Sequence, residues 1–198
     1  MRIMLAPASW SLPLSPSNPA WIEAALADLA SVYRDHLHCE RKAAQSALSL
    51  MRAYPDRAKL VAAMAQLAHE ETRHVVQVSR LMQKQGVAPV NDIGDAYAAA
   101  LNARVRRPEP ARLLDRLLVF AVIEARSAQR LHLLGSAITD AATAALYRGF
   151  AEAEVRHAQL FLTLAETYAP SEWKSRAVEF CAHESAIMAT LPVAARIH

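Results

Sequence analysis

The sequence contains little glycine, little cysteine and few aromatic residues. Of its 198 residues, 4 are glycine, 2 are cysteine and 6% are aromatic. Ala and Leu are abundant, and both cost little to place in a helix, whereas glycine costs more than any residue but proline. The shortage of glycine and of β-branched runs therefore argues against a sheet-rich fold and predicts an all-α protein.

The two cysteines and the hydropathy pattern favour a cytoplasmic protein. Cys39 and Cys181 are too few for a disulfide framework, and neither stands in the Cys-x-x-Cys pair of a zinc ribbon or a rubredoxin-like iron module. No apolar run approaches the ~20 residues that span a bilayer, and Pro7, Pro13 and Pro16 interrupt any signal-peptide core. We therefore expect no membrane anchor. The net charge of +3 permits a phosphate-bearing partner without requiring one.

Capping residues and prolines predict where the helices begin and end, and the chain length suits one domain. The predicted segments are an extended arm (1–18), a first helical hairpin (19–85), a crossover with one short helix (86–109), a second hairpin (110–168) and a C-terminal helix (171–190). The first helix is expected over residues 19–53, with a bend. The residues expected to cap or stop helices are Asn18, Asp56, Gly86, Gly135, Asp140 and Ser171. The long crossover between helices 2 and 3 is typical of a ferritin-like four-helix bundle.

Each of the four long helices carries a carboxylate in the middle of its apolar stripe. Apolar residues recur at steps of three and four, so each stripe faces the bundle interior. In the second and fourth helices a histidine follows the glutamate three residues later, on the same face. The candidate site residues on these stripes are Glu40, Glu71, His74, Glu124, Glu154 and His157.

The spacing of these residues repeats along the chain. The three separations between matching residues of the two hairpins agree to within one residue. The repeat favours Glu71 over Glu70 as the site residue, because Glu71 matches Glu154. A zinc-protease motif is excluded, since it needs a second histidine four residues after His69, where Arg73 stands.

Four buried carboxylates predict a pair of divalent cations, because isolated charges in an apolar interior are too costly to keep. Two glutamates plus two Glu-x-x-His pairs form the ligand set of di-iron and di-manganese carboxylate bundles. Oxygen-rich ligation with one imidazole per metal favours iron or manganese over zinc. Such centres store iron, remove peroxide or hydroxylate C–H bonds, and the fold alone does not choose among these reactions.

Four further residues lie near the predicted site or on an apolar stripe. Asp35 and His36 precede Glu40 by about one turn and are candidates for orienting it, although a capped or solvated pair is favoured. For Glu184 a plain ion pair is favoured over a role in supporting a ligand. Cys39 is expected to be a small buried residue.

Four strings resemble the tRNA hydroxylases that act on 2-methylthio-N6-isopentenyl-adenosine beside the anticodon. They are HLHCERKAA (36–44), LAHEETRH (67–74), IEARS (123–127) and EVRH (154–157). The resemblance extends from about residue 21 to residue 168. The first and third strings discriminate best, because Glu-x-x-His pairs occur in every ferritin-like di-iron protein.

The resemblance implies a di-iron monooxygenase that uses O2 and two electrons from an external reductase to hydroxylate a terminal methyl of the prenyl group in tRNA. It implies that one side of the centre is held by Glu40, Glu71 and His74, and the other by Glu124, Glu154 and His157. The oligomeric state does not follow from the sequence, and we favour a monomer. The alternative is a ferritin-like di-iron or di-manganese protein for iron oxidation or peroxide removal. Iron storage would need a shell of many subunits, and peroxide scavenging usually accompanies a thiolate iron module.

Two further features concern the tRNA substrate. The richest basic stretch holds Arg104, Arg106, Arg107, Arg112 and Arg116, which predicts either phosphate contacts or a solvated loop. Alanines near Glu40 and Glu124 leave room for a prenyl tail, although alanine is also simply a good helix former, and that simpler interpretation is favoured. These alanines are Ala43, Ala44, Ala121, Ala125 and Ala128.

Overall fold

The computed structural model describes residues 11–198, which form a helical bundle without strands in that range. The helices are α1 (Ala20–Ala27), α2 (Leu29–Ala53), α3 (Ala58–Lys84), α4 (Ala96–Asn102), α5 (Ala111–Ala137), α6 (Ala141–Tyr168) and α7 (Trp173–Thr190). The pairs α2–α3 and α5–α6 pack along their lengths, α4 lies in the crossover between α3 and α5, and α7 packs on α4, α5 and α6. The predicted all-α, ferritin-like bundle with a long crossover and an extra C-terminal helix is confirmed. No helix within residues 11–198 is both long and apolar enough to cross a membrane.

The predicted first helix is two helices, so the prediction of one helix over residues 19–53 was wrong. The chain leaves the helical conformation at Asp28, whose side chain accepts a hydrogen bond from Ser31 N at 3.0 Å and so caps α2. Residues 11–18, before α1, form neither helix nor strand. The remainder of the predicted arm, residues 1–10, lies outside the described residues.

Of the six predicted cap or stop residues, three are present and three are not; among those present, Asn18 Oδ1 accepts a hydrogen bond from Ala20 N at 3.0 Å at the start of α1. Asp140 accepts a hydrogen bond from Thr143 N at 2.8 Å, and Gly86 follows α3 with a φ of 67°. The predictions for Asp56 and Ser171 were wrong, since α3 and α7 each begin two residues later, without a side-chain cap. Asp56 instead lies 3.6 Å from the guanidinium of its neighbour, Arg57.

Gly135 was predicted to end a helix, but it lies inside α5. A Cβ atom at this position would lie 2.8 Å from Cγ and 2.9 Å from N of Arg148, and 3.2 Å from O of Ala144. Glycine is therefore required because α5 and α6 approach each other closely here, whereas the helix itself continues for two more residues. The sequence could not separate these two reasons for a glycine.

The apolar core consists of two clusters separated by the ionisable layer. One cluster includes Leu50, Leu60, Leu117 and Phe161, and the other includes Val32, Val78, Leu134, Tyr147 and Phe150. Each of α2, α3, α5 and α6 contributes to both clusters and carries its predicted site residues between them. The bundle thus fixes a polar layer in the middle of an otherwise apolar interior.

A buried ion pair lies beside α7, apart from the six predicted site residues. Arg126 Nε lies 2.7 Å from Glu184 Oε1, and both side chains are almost fully buried. The ion pair favoured for Glu184 is therefore confirmed. Removing one partner of such a buried pair leaves an unpaired charge, which typically costs about 3–5 kcal/mol.

Candidate functional site

The structure brings all six predicted site residues together in the middle of the bundle. They form two overlapping groups, Glu40–Glu71–His74–Glu154 and Glu71–Glu124–Glu154–His157, and within each group one ligand-type atom per residue lies within 4.8 Å of the others. All six residues are buried. Glu71 and Glu154 belong to both groups, so their carboxylates are placed to face two neighbouring cation positions.

The histidines point the same ring nitrogen into the cluster. Nδ1 of His74 lies 3.1 Å from Glu71 Oε2 and 3.2 Å from Glu40 Oε2. Nδ1 of His157 lies 2.9 Å from Glu154 Oε2 and 3.0 Å from Glu71 Oε1. Because each Glu-x-x-His pair is one helical turn, its carboxylate and imidazole converge on one point.

Burial makes the carboxylates of this layer hold protons. It raises the pKa of Glu40 to about 8, and it holds the pKa of Glu124 well above the usual range. The pKa of Glu154 is raised for the same reason, and the charges of Glu40 and Glu71 add to the effect. Neutral carboxyl groups avoid part of the cost of placing like charges in an apolar interior.

The histidines and Glu71 behave as ion pairs instead. Burial opposes the charge of His74, but hydrogen bonds with Glu40 and Glu71 raise its pKa to about 10. The nearby carboxylates of Glu154, Glu70 and Glu71 likewise outweigh burial and raise the pKa of His157. For Glu71, burial is outweighed by the two histidines, and its pKa lies below the usual range. Without cations, protons therefore supply the positive charge that this layer needs.

The donor set fits two divalent cations. Oxygen atoms outnumber imidazoles, as iron and manganese centres require, and no cysteine belongs to either group. Glu71 Oε1 is buried 3.0 Å from Nδ1 of His157, but that nitrogen directs its hydrogen bond to Glu154 Oε2, so among residues 11–198 this oxygen has an ionic contact and no well-aligned hydrogen bond of its own. A bound cation would satisfy that oxygen and replace the protons described above.

His36 supports the cluster directly. Its Nε2 lies 2.6 Å from Glu40 Oε1, and its ring packs edge-on against Phe150 at 4.8 Å. Burial lowers the pKa of His36 to about 4, so the imidazole is neutral at pH 7 and shares a hydrogen bond with Glu40. The favoured interpretation of a solvated Asp35–His36 pair was wrong, because both residues are buried, and Asp35 bonds to Arg196 at 2.9 Å.

Glu70 is a contact residue that the sequence repeat did not identify. Its Oε2 lies 3.3 Å from Nε2 of His157, the ring nitrogen that points away from the cluster, and its Oε1 lies 2.9 Å from Arg156. A carboxylate in this position orients a ligand histidine. The repeat gave no signal for this role, because Ala153 occupies the matching position before Glu154.

A cavity of about 390 Å³ joins the site to the surface between α2, α4 and α5. Its lining includes the buried carboxylates of Glu40, Glu124 and Glu154, the apolar side chains of Phe120 and Ile123, and a polar rim formed by Lys42, Gln45, Ser49 and Asn102. Of the alanines considered above, Ala43 lines the cavity, whereas Ala44, Ala121 and Ala128 are buried in the core. The cavity therefore gives an organic molecule of moderate size access to the ionisable layer.

Cys39, Asp95 and His198 also line this cavity. Cys39 is half-buried, so the prediction that it is a buried core residue was wrong. Sequence reasoning missed Asp95 and His198, because the turn before α4 and the last residues of the sequence meet α2 only after the bundle has formed. No local pattern marks either residue.

The basic stretch divides into structural and exposed arginines. Arg106 is held by Asp115 at 2.7 Å and by Glu172 at 2.6 Å. Nη2 of Arg116 lies 3.2 Å from Ser49 Oγ at the cavity rim. The exposed members are Arg104, Arg107 and Arg112. The stretch is therefore neither a uniform basic surface nor a freely solvated loop.

Comparison with known proteins agrees with the geometry. A family model described as tRNA-(MS[2]IO[6]A)-hydroxylase (MiaE) matches residues 4–198. A protein of Pseudomonas putida named tRNA 2-(methylsulfanyl)-N(6)-isopentenyladenosine(37) hydroxylase is 42% identical over 165 residues, which cover 83% of this chain and 80% of that protein. A protein of Salmonella typhimurium with the same name is 28% identical over 210 aligned positions, with 81% of this chain and 77% of that protein covered.

A solved structure is similar over almost its full length. It is described as Protein 43 with aldehyde deformylating oxygenase activity from Synechococcus, with a TM-score of 0.87, 33% sequence identity and 96% of each chain covered. The match places an oxygenase on the same helical arrangement. Together with the family match over residues 4–198, these similarities confirm the resemblance seen in the four strings: the chain belongs to the tRNA-(MS[2]IO[6]A)-hydroxylase (MiaE) family.

Proposed function

We propose that this protein hydroxylates the isopentenyl group of 2-methylthio-N6-isopentenyl-adenosine in tRNA. The observation that carries the proposal is a buried layer of four glutamates and two histidines at the end of a substrate-sized cavity, in a chain of the hydroxylase family. The cavity also favours this function over iron oxidation or peroxide removal, because those reactions need no room for an organic substrate.

In this proposal two iron ions are held by the six buried residues. Glu40, Glu71 and His74 would hold one ion, and Glu124, Glu154 and His157 would hold the other, with Glu71 and Glu154 belonging to both groups of ligand-type residues. When bound, a di-iron centre supplies from O2 and two electrons the oxidant for an unactivated C–H bond. The protein positions the ligands, with His36 holding Glu40 and Glu70 holding His157.

The cavity orients the substrate in the proposed reaction. The prenyl tail lies toward Glu40 and Glu124, between the apolar side chains of Phe120 and Ile123, while the base lies nearer the polar rim. A volume of about 390 Å³ falls within the roughly 300–1,000 Å³ typical of ligand sites. Enzymes that act on a base take it out of the stack, so the modified adenosine enters the cavity as an extruded nucleotide.

The tRNA backbone is proposed to bind around the cavity rim. Arg116 and Lys42 lie at the rim, and Arg112 lies one helical turn from Arg116 along α5. Phosphate contacts from these residues would supply salt-dependent affinity that does not depend on sequence. The pocket then selects the modified base.

The remaining parts of the proposal concern how the protein works in the cell. An external reductase supplies the electrons, because no thiolate iron module is present in the sequence. The whole chain acts as a single domain and as a monomer, and the reaction takes place in the cytoplasm, where tRNA is modified. Within the described residues the four bundle helices already provide all six proposed ligands.

The direct test is hydroxylation by the purified, iron-loaded protein. tRNA carrying the prenylated nucleoside is incubated with the protein, O2 and a chemical reductant, and its nucleosides are then analysed by mass spectrometry. We expect the prenylated nucleoside to gain one oxygen atom with the native protein and to remain unchanged with Glu124→Ala or His157→Ala. Iron analysis of each variant shows whether lost turnover accompanies lost metal.

Glu152→Ala is the matched control, because Glu152 lies on the exposed face of α6, two residues before Glu154. This variant should keep both its iron and its activity. Turnover by metal-free protein, or by iron-depleted Glu124→Ala, would refute the proposal. An iron-loaded native protein that leaves the nucleoside unchanged would do the same.

A further inference from the structure

A second group of metal-ligand side chains lies on the cavity wall, outside the six proposed iron ligands. One atom each from Cys39, Asp95 and His198 lies within 4.8 Å of the others. Cys39 comes from α2, Asp95 from the turn before α4, and His198 from the last residues of the sequence. The group shares no residue with the ionisable layer of the bundle.

The distances match the edges of a small tetrahedral coordination sphere. Cys39 Sγ lies 3.7 Å from His198 Nδ1, which lies 3.2 Å from Asp95 Oδ2. Zinc bonds of about 2.3 Å to sulfur and about 2.0–2.2 Å to nitrogen or oxygen, at tetrahedral angles, separate ligand atoms by roughly 3.3–3.6 Å. Two of the three separations are thus close to those of one coordination sphere, and the third, between Cys39 and Asp95, is below 4.8 Å.

Two of the donors are fixed in orientation by contacts on their far sides. Asp95 accepts a hydrogen bond from Ala98 N at 2.9 Å through Oδ1, which leaves Oδ2 directed at His198. Nε2 of His198 lies 2.8 Å from Ser127 Oγ, and the ring stacks on Tyr97 with 5.0 Å between centroids. In the metal-bound tautomer Nε2–H would donate to the Ser127 hydroxyl and the Nδ1 lone pair would bind the cation, which would replace the present contact between Nδ1 and Asp95.

The segment that carries His198 is held firmly against the bundle. Asp35 accepts hydrogen bonds from Ile197 N at 2.6 Å and from Arg196 Nε at 2.9 Å. Nη1 of Arg130 donates to Ile197 O at 3.1 Å, and the Ile197 side chain is fully buried. The imidazole is therefore part of a preformed wall, with 4% of its side chain exposed.

Lys42 and Arg196 are positive groups near these donors, and each has another carboxylate as its closer partner: Arg196 Nε lies 2.9 Å from Asp35 Oδ1. Nζ of Lys42 lies 4.0 Å from Asp95 Oδ2 but 3.5 Å from Asp92 Oδ2. Asp92 therefore offers the lysine a closer partner. A cation at the site would take over Asp95 while Lys42 keeps its contact with Asp92.

We propose that Cys39, Asp95 and His198 form a mononuclear site for Zn²⁺ or a similar thiophilic divalent cation, separate from the proposed di-iron centre. Thiolate and imidazole ligands select zinc-like ions, whereas the oxygen-rich layer favours iron or manganese. The Cys39 thiol releases its proton to solvent as the sulfur binds the cation. A fourth coordination position faces the cavity, because all three ligands line it.

Co²⁺ is the probe for this site, because cobalt bound to thiolate absorbs in the near ultraviolet, whereas zinc is spectroscopically silent. Full-length protein is depleted of metal and titrated with Co²⁺, and Zn²⁺ binding is measured in parallel by equilibrium dialysis. We expect a thiolate-to-cobalt band in the native protein. The native protein should also bind one more Zn²⁺ per chain than Cys39→Ser.

Three variants make the assignment specific. Cys39→Ser should lose the cobalt band, whereas Cys181→Ser should keep it, because Cys181 is buried within α7 and does not line the cavity. Asp95→Asn keeps an N-cap for α4 but should bind Zn²⁺ at least about tenfold more weakly. His198→Gln gives a second variant that removes a ligand, and circular dichroism confirms that each variant is folded.

The double variant Glu124→Ala/His157→Ala separates this site from the proposed di-iron centre. It should retain the cobalt band that depends on Cys39 while losing iron. The proposal is overturned if the native protein shows no thiolate band, or if native protein and Cys39→Ser bind the same number of Zn²⁺ ions. Failure of tRNA hydroxylation with the band intact would count against the proposed function alone.

Discussion

The α2–α3 half and the α5–α6 half of the bundle carry matching acids and histidines in different surroundings. Four residues before Glu40 stands His36, which bonds to that carboxylate and is enclosed by Tyr147 and Phe150. Four residues before Glu124 stands Phe120, which lines the cavity. The repeated residues form the ionisable layer, and the residues that differ cover it beside Glu40 and leave it open to the cavity beside Glu124.

The two histidines differ in the opposite sense, with the more open surroundings in the α2–α3 half. Nε2 of His157 faces the carboxylate of Glu70 at 3.3 Å. The position that matches Glu70 in the other half is Ala153, which lines a second cavity of about 250 Å³ together with His74. One proposed ligand is thus held by a carboxylate and the other borders open space, so the two halves are not expected to bind metal with equal strength.

The largest effect on iron content and turnover is expected at Glu71 and Glu154, which belong to both ligand groups. Glu71→Ala and Glu154→Ala each remove a carboxylate that belongs to both ligand groups, so we expect loss of most of both irons and a fall in turnover of more than about a hundredfold. His74→Ala removes a ligand of one group only and should retain about one iron per chain. Iron analysis after gel filtration measures this. Equal iron retention in all three variants would show that the two groups are not separate positions.

A smaller effect is expected from exchanging the residues that distinguish the halves. His36→Phe removes the hydrogen bond to Glu40, and we expect a loss of metal affinity of about 10–100-fold. The reciprocal change, Phe120→His, alters the cavity wall and should raise KM for tRNA while leaving the iron content unchanged. If Phe120→His loses iron and His36→Phe does not, the assignment of a closed and an open side is wrong.

The α2–α3 half should make the metal-free protein sensitive to alkaline pH. The pKa of Glu40 is about 8, against an ordinary value of 4.5, and that of His74 is about 10, against 6.5. The folded state therefore binds these protons more tightly than the unfolded state. The contribution of Glu40 to the free energy of unfolding is lost as pH rises from about 4.5 to about 8. The contribution of His74 is lost as pH rises from about 6.5 to about 10.

Urea denaturation at about pH 6 and about pH 9 tests this pH dependence. We expect metal-free protein to be less stable at the higher pH, and protein loaded with Mn²⁺ to lose this difference, because the cations replace the protons. The variant Glu40→Gln should show a smaller difference than the native protein. Metal-free protein that gains stability over this interval would contradict the assigned direction.

The smallest effect is expected at the cavity rim. Replacing Arg112 and Arg116 by alanine should weaken tRNA binding and lower the slope of log affinity against log salt by about 0.7–0.9 for each phosphate that the variant no longer binds. Arg73→Ala is the matched control, because Arg73 lies beside the cavity next to His74, on the other side of the layer. If Arg73→Ala lowers the slope and the rim variants do not, the tRNA binds at the opposite face.

The sequence predicted the helices and the six site residues because both depend on local periodicity and on the internal repeat. Glu71 was distinguished from Glu70 by its match to Glu154 alone. What the sequence could not give depends on distant segments meeting. The interruption at Asp28 and the contact of Glu70 with His157 both follow from packing, which no spacing rule describes.

The same limit applies to the cavity wall. His198 reaches Cys39 because Asp35, on α2, holds the backbone of the residue before it, and nothing in the sequence marks that contact. In the stretch 104–116, by contrast, the charge pattern is obvious in the sequence, but its arginines have different roles in the structure. Arg106 stabilises the fold through Asp115, while Arg116 lies beside the cavity.

Gly135 connects the close packing of α5 and α6 near their connecting turn with the dimensions of the site. Its missing side chain lets α5 and α6 lie close together near the turn that joins them, and a methyl group there would press on the backbone of α6. Because both helices are stiff, a side chain inserted between them at that end would increase the distance between their axes. A side chain at position 135 would therefore be expected to move α5 and α6 apart about three helical turns from Glu124, and so to change the spacing of the carboxylates that these two helices carry.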